Sequence, residues 1–171
     1  MPKVSEALKG ENALIGIITK ENYKTTTAVA LADGHGLIAL APIDVNIAKQ
    51  VNILASDMGF PLDRIVIYQT TGALGYGLEY DYSIHERQRL AALAGDRMLA
   101  QPALSDVGTE SWRSKEAKAA DAPGLGPQDE RGPMWEAITA ISLLASGTDI
   151  LRMNHPKVIA VVRDYLDRAW G

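Results

Sequence analysis

Residues Thr70 to Leu93 read TTGALGYGLEYDYSIHERQRLAAL. Gly72, Gly75 and Gly77 follow a β-type run, Ile65 to Tyr68, and an uninterrupted helical run opens straight behind them. A strand, a glycine-rich turn and a helix in that order mark a β–α junction. In α/β chains such junctions lie at the C-terminal strand ends, where sites are built. The spacing matches neither the dinucleotide fingerprint nor a P-loop, since no Lys-Ser/Thr follows. Its glycines permit positive φ and close backbone approach by a ligand. Backbone N–H groups at a helix start suit an anion or a carbonyl-rich ligand edge. A turn that merely packs the helix onto its sheet answers the same description.

The flanking sequence repeats the alternation. Val4 to Lys9 reads as the last turns of a helix closed by Gly10. Ala13 to Thr19 (ALIGIIT) is a continuous apolar run, as expected of a strand buried on both faces. Asn22 is placed to cap a helix that Gly34 ends, and Leu37 to Ala41 gives a second strand. Asp44 caps the next helix, with Ile47, Val51, Leu54 and Met58 along one stripe and Gly59 and Pro61 as its stop. After the glycine loop and its helix, Gln101 to Ser105 is a weaker strand. Asp106 to Arg131 lacks periodicity and is rich in Gly, Pro and charge, a length of loop that tends to be functional or mobile. Gly132 and Pro133 open a helix with Met134, Ile138, Ile141 and Ala145 on its core face. Asp149 to Met153 is the fifth strand, and Pro156 starts a last helix with Val158, Val162, Tyr165 and Ala169 inward.

Five β–α units in succession predict an α/β chain with a parallel sheet and right-handed crossovers. An open doubly wound sheet and an arc of a (β/α)8 barrel both fit this order. Five units are too few to close an eight-stranded barrel. The expectation is a partial TIM barrel over residues 1–171 as a single domain, its open edges covered by a second copy or another chain.

The 171 residues are 47% hydrophobic and 22% charged, as in globular chains, with net charge −4 and no Lys/Arg run beyond two residues. A nucleic-acid partner needs a basic footprint that this chain lacks. With no cysteine there is no disulfide, thiol nucleophile, cysteine zinc site or iron–sulfur cluster within it. No apolar run reaches bilayer-spanning length and the N-terminal residues do not read as a signal peptide, so a cytoplasmic protein without a membrane role is expected.

Candidate chemistry is sparse. Glu79 and Asp81 complement the helix dipole, and Asp81 and His85 stand at i, i+4 spacing. Arg87 and Arg89 are read as solvated. His35, His85 and His155 are too scattered for a metal site, and Trp112 is the tryptophan expected at the surface. Strand ends contribute polar residues, among them Asp44, Asn46, Asp106, Thr109, Glu110 and Arg152. No nucleophile–base pair is visible, and no catalytic or metal-binding residue is assigned.

Four segments carry a family resemblance: NYKTTTAVALADGHGLIALAPIDVNIAKQVNILASDMGFPLDRIVI, TTGALGYGLEYDYSIHERQRLAALAGDRML, VGTESWRSKEAK and GPMWEAITAISLLASGTDILRMNHP. In order and wording the chain resembles the small subunit of the corrinoid/iron–sulfur protein, together with the delta subunit of the archaeal acetyl-CoA decarbonylase/synthase. The resemblance starts inside what looks like the third barrel helix, so it implies the C-terminal portion of a (β/α)8 barrel. At Tyr68-Gln69 the family pattern has Asp-Pro, and at His85 it has Met. The resemblance implies a non-catalytic role in the reductive acetyl-CoA (Wood–Ljungdahl) pathway of carbon dioxide fixation. In that role the barrel mouth helps cover a cobalamin held by a large subunit that also carries the Fe4S4 cluster. Methyl groups on cobalt then pass from methyltetrahydrofolate methyltransferase, or a methyl-pterin, to CO dehydrogenase/acetyl-CoA synthase. Those three proteins are the implied partners. The implied corrinoid-facing positions are Thr70, Thr71, Gly72, Gly75, Tyr76 and Gly77, with Asn46 and Thr109. The alternatives are a pterin-binding methyltransferase-like barrel, with Asp44 and Asn46 holding the pterin, and an excised or engineered barrel fragment that self-associates without activity.

Overall fold

The computed structural model describes residues 1–121 and 124–171. Helix α1 (Pro2–Ala7) leads into β1 (Leu14–Ile18), α2 (Tyr23–Asp33), β2 (Gly36–Leu40), α3 (Val45–Asp57), β3 (Ile65–Tyr68) and α4 (Leu78–Leu93). Strand β4 (Ala103–Asp106) is followed by two short helices, α5 (Val107–Ser111) and α6 (Lys115–Lys118). Then come α7 (Gln128–Ser146), β5 (Ile150–Arg152) and α8 (Pro156–Trp170). All strand pairs are parallel, and the sheet order is β1-β2-β3-β4-β5. A doubly wound sheet reverses its strand order at a switch point. This one does not, and each helix packs on the next along the sheet (α2 on α3, α3 on α4, α4 on α7, α7 on α8). The architecture is thus an arc of barrel-like β/α units, with helices on one face and a concave face behind.

Apolar packing is concentrated at the two ends of the arc. Ile15, Ile18, Leu37, Val51, Phe60 and Ile65 form one core under α2 and α3, extended by Ala41, Ala48, Ile67 and Leu99. Val107, Ala137, Ala140, Leu143, Val158 and Val162 form another under α7 and α8. On the concave face Ile38, Leu40, Tyr68, Leu104 and Ile150 remain half-buried. Strand β1 is not buried on both faces as its apolar run suggested. Leu14 and Ile17 are exposed, because β1 pairs only with β2 and is covered by α2 on one side alone.

Other expectations are corrected by packing. Asn22 stands at the start of α2 but caps nothing; its side chain turns back, accepting from Thr19 N–H at 2.7 Å and donating to Ile17 O at 3.1 Å. Asp44 does cap α3, accepting from the N–H groups of Asn46 and Ile47. The buried face of α3 is Ala48, Val51, Asn52 and Ala55, one residue round from the expected stripe.

The stretch 106–131 holds two capped short helices. Asp106 caps α5 through Thr109 N–H, and Ser114 caps α6 through Ala117 N–H. Arg131 gathers its remaining carbonyls, donating to Glu116 O at 2.6 Å, to Gly126 O at 2.7 Å and to Ala119 O. Helix α7 begins at Gln128, a turn before Gly132 and Pro133, since an internal proline removes only one helical bond. Most of its expected core stripe faces outward: Met134 and Ile138 are 59% and 54% exposed and Ala145 is exposed, while Ile141 packs against the C-terminal core. Gly132 instead lies under the Trp112 ring, where a Cβ would come within 2.7 Å of Cζ3. In α8, Val158 and Val162 are buried as expected, Tyr165 is half-buried and Ala169 is exposed.

Arg89 is not solvated. It donates to Gly147 O from Nε at 2.8 Å and Nη2 at 2.6 Å and pairs with Asp149, whose carboxylate also accepts Ala103 N–H at 2.7 Å. One guanidinium thus ties α4 to the end of α7 and the start of β5. Arg89→Ala is expected to lower unfolding free energy by ~1–3 kcal/mol, the range for losing bonds to a charged group. Urea denaturation checks this; an unchanged midpoint would show that the tie contributes nothing.

Candidate functional site

Because the strands are parallel and in sequence order, the segments following β1 to β5 emerge along one rim. The loop after β2 is fastened to the start of the glycine loop by Ile43 N–H donating to Gln69 O at 2.8 Å. Ile43 and Thr70 both carry positive φ, 50° and 63°. Such values are rare for β-branched residues and mark rim loops held in place by their surroundings.

The glycines behave differently from the expectation. Gly72 and Gly75 do not adopt positive φ; Thr70 and Gly77 (φ 154°) do. A Cβ on Gly75 would meet nothing within 4 Å, and one on Gly72 only the Thr70 hydroxyl at 3.6 Å. These two are therefore required neither by backbone conformation nor by packing within the chain; they leave bare backbone facing open space. The loop is also no anion cradle, since the carboxylate of Glu79 folds over Gly77 and that of Asp81 accepts Ala73 N–H at 3.2 Å. The start of α4 already has its negative charge.

Each expected site residue can be placed. Thr70 is half-buried and Thr71 fully buried, with its Oγ1 unpartnered. Tyr76 stands 90% exposed at the tip of the loop. Asn46 is exposed in the first turn of α3, and Thr109 is half-buried in the first turn of α5, one strand along from the loop. All lie on the C-terminal rim. Among the described residues no hydrogen bond joins Asn46 or Thr109 to the glycine loop. A rim cavity of about 220 Å³, lined by Thr19, Lys20, Leu40, Pro42 and Ile47, lies on the Asn46 side.

Beneath the loop, α4 packs on the sheet through polar side chains. Its buried face is Asp81, Ile84, His85 and Gln88, while Leu90 and Leu93 are exposed. Gln88 accepts from Gln69 Nε2 at 3.2 Å and donates to Gln101 O at 3.1 Å, and Gln101 Oε1 accepts from Asn52 at 3.1 Å. His85 Nε2 meets Ser105 Oγ at 3.0 Å, and that hydroxyl meets Thr148 Oγ1 at 2.9 Å. The expected Asp81–His85 pair does not form: Asp81 Oδ2 and His85 Nδ1 are both buried without partners. Burial drives both toward neutrality, raising Asp81 to about 6 and lowering His85 to about 4.

Trp112 is not the exposed tryptophan. Its Nε1–H donates to Glu136, and its ring stacks on His155 with centroids 5.9 Å apart. Trp170 is exposed instead. His35 is a buried turn residue, accepting Ala13 N–H at Nδ1 and placing Nε2 2.9 Å from Ser5 O.

Sequence reasoning listed the strand-end residues Asp106, Glu110 and Arg152 without ranking them. Strand register joins Asp106 and Arg152. Asp106 lies opposite Arg152, with Nη1 and Oδ2 3.2 Å apart, and Tyr68 projects from the same face two residues short of that level. Charge alternation across adjacent strand ends would have been the signal, had the strand order been known. Among the described residues no group of three or more His, Asp or Glu could hold a metal ion, and no helix is long and apolar enough to cross a membrane.

The model of the family described as CO dehydrogenase/acetyl-CoA synthase delta subunit matches residues 1–122. The acetyl-CoA decarbonylase/synthase complex subunit delta 1 of Methanosarcina thermophila is 35% identical over the whole chain. The delta subunits of Methanopyrus kandleri and Methanothermobacter thermautotrophicus are each 36% identical over 96% of it. The chain spans 41%, 41% and 42% of the lengths of these three relatives.

Proposed function

The chain belongs to the CO dehydrogenase/acetyl-CoA synthase delta subunit family, and from that premise we propose that it is the part of a methyl-carrier subunit whose rim covers a corrinoid. The observation that carries this reading is the bare backbone at Gly72 and Gly75 beside the exposed Tyr76, at the C-terminal rim of a barrel-like sheet. A large planar ligand edged with amides fits such a surface. Glycine backbone lets it approach closely, Tyr76 offers an aromatic face, and the Thr70 hydroxyl and loop N–H groups can meet amide oxygens. In this role the cobalamin, shared with a large subunit that brings the iron–sulfur cluster, supplies the methyl-carrying cobalt. This chain binds, orients and excludes water around it and moves no proton. Its partners are that large subunit, the methyltransferase that loads the methyl group and the CO dehydrogenase/acetyl-CoA synthase that accepts it, all cytoplasmic. The pterin-binding alternative finds less support, because the Asp44 carboxylate is committed to capping α3.

Gly75→Leu tests the reading. With open space above the residue and no positive φ, unfolding should change by no more than ~0.5 kcal/mol. The cobalamin spectral shift of the wild-type chain, measured with and without the large subunit, should be lost. Absence of any shift in the wild type under both conditions overturns the proposal.

A further inference from the structure

Charged side chains gather on the rim beyond the glycine loop, after β4 and at the end of β5. Asp106 is buried with both oxygens engaged, Oδ1 by Thr109 N–H and Oδ2 by Arg152. A turn further on, Glu110 Oε1 accepts from Arg113 Nη1 at 2.8 Å. Each arginine is thus anchored through one nitrogen, while its side chain stays 66% (Arg152) or 69% (Arg113) exposed. Tyr68, half-buried, stands on the same sheet face as Asp106 and Arg152, two residues short of their level. Burial and then the Asp106 and Glu110 carboxylates raise its pKa, so it remains a protonated donor at neutral pH. Gly108 packs against Asn154 and the Trp112 ring stacks on His155, so the end of α5 next to Arg113 lies beside the end of β5 that carries Arg152, each arginine held by a carboxylate.

We propose that Arg152, Arg113 and the Tyr68 hydroxyl form a binding site for an oxyanion, a phosphate group in particular, carried by a ligand seated on the rim. A guanidinium has five donors in a planar fork, so anchoring one nitrogen leaves an edge for two phosphate oxygens. The anchoring carboxylates also remove much of the rotamer freedom that binding would otherwise cost. The alternating charges keep the site near neutral when empty and let it accept an anion by direct donation. The site itself stands on the geometry of β3, β4, β5 and the segment that follows α5. Only the identity of the phosphate's carrier rests on the corrinoid reading, since the phosphate could be free or could belong to a corrinoid's nucleotide loop.

Titration of the chain with inorganic phosphate, followed by amide chemical shifts, tests the site. Saturable shifts should centre on residues 106–113 and 150–153. Arg113→Gln, at an exposed position that leaves folding intact, should weaken binding about tenfold, and Arg152→Gln and Tyr68→Phe should also weaken it. An Arg168→Gln control should match the wild type. Shifts that do not saturate, or that survive in the Arg113 variant, overturn the proposal. Parallel titrations with cobalamin and with cobinamide, which lacks the nucleotide-loop phosphate, identify the carrier. Cobalamin binding more tightly than cobinamide, with the difference lost in Arg113→Gln, makes the nucleotide loop the source. Phosphate binding with no corrinoid shift upholds the site for free phosphate and removes the corrinoid reading. Corrinoid binding without phosphate binding does the reverse.

Discussion

Glu136→Ala is expected to destabilise the chain by several kcal/mol, since three donors lose their acceptor at ~1–3 kcal/mol for each one left buried. Glu136 is completely buried in α7. One carboxylate oxygen accepts Asn154 N–H at 2.6 Å and His155 N–H at 3.3 Å, and the other accepts Trp112 Nε1–H. A single side chain thus fixes the β5–α8 turn and the end of α5 to the core of the C-terminal half. Truncation strands three donors, two of them backbone groups in a turn that has little room for water. Gly108 lies directly against the Asn154 backbone, within 2.6 Å of any added Cβ. Glu136→Gln keeps the shape and the oxygen acceptor but sets an amide NH2 against donors, so an intermediate loss is expected. Chemical denaturation of the three proteins measures the series. A Gln variant as weak as the Ala variant would show that shape contributes little and charge nearly everything.

The second large effect concerns pH. Asp81 has its folded pKa raised to about 6 from 3.8, mainly by burial and further by Glu110, against the lowering bond from Ala73 N–H. The stability it contributes is therefore full below pH 3.8 and is lost as pH rises through 6, by ~3 kcal/mol for a shift of this size. His85 has its folded pKa lowered to about 4 from 6.5 by burial and by Arg89, opposed by Asp149. Its contribution is full above pH 6.5 and is lost as pH falls through 4. Between pH 4 and 6 the two slopes have opposite sign and nearly cancel, so the wild-type chain should show a flat stability profile there. Asp81→Asn should expose the histidine: stability should climb with pH from 4 to 6.5 and exceed the wild type by ~3 kcal/mol at pH 8. His85→Gln should expose the aspartate and give a profile falling over the same window. Urea midpoints across pH 4–8 read both slopes. Parallel profiles for wild type and both variants would mean that neither group is buried as described. Because Asp81 holds Ala73, the loosening at high pH is expected first in the glycine loop, where amide exchange should quicken.

The sequence reading located every strand to within about two residues, because short apolar runs bounded by Gly, Pro and capping residues leave little freedom. It identified the Asp44 cap, the Gly34 stop and Pro156 at the start of α8 for the same local reason. The family was also legible, since motif wording does not depend on contacts. What it misjudged was direction. The stripe Met134, Ile138, Ile141, Ala145 has helical period, yet α7 turns a different face inward, carrying Glu136 and Thr139 among its alanines. Helix α4 buries Asp81, His85 and Gln88 beside Ile84 and exposes Leu90 and Leu93. Periodicity states that a helix has faces; which face meets the sheet is set by the partners available, here Gln69, Ser105, Gln101 and Thr148.

The glycine loop divides in the same way. The residues Thr70 to Gly77 and their position at a β–α junction followed from the chain alone. That positive φ falls on Thr70 and not on Gly72 or Gly75, and that Glu79 and Asp81 occupy the helix start, depended on packing. Composition and local pattern determined the elements, their order and the rim on which a ligand would sit. Only tertiary structure decided where charge gathers on that rim, because Tyr68, Asp106 and Arg152 share one face through strand register between segments up to 84 residues apart (152 − 68).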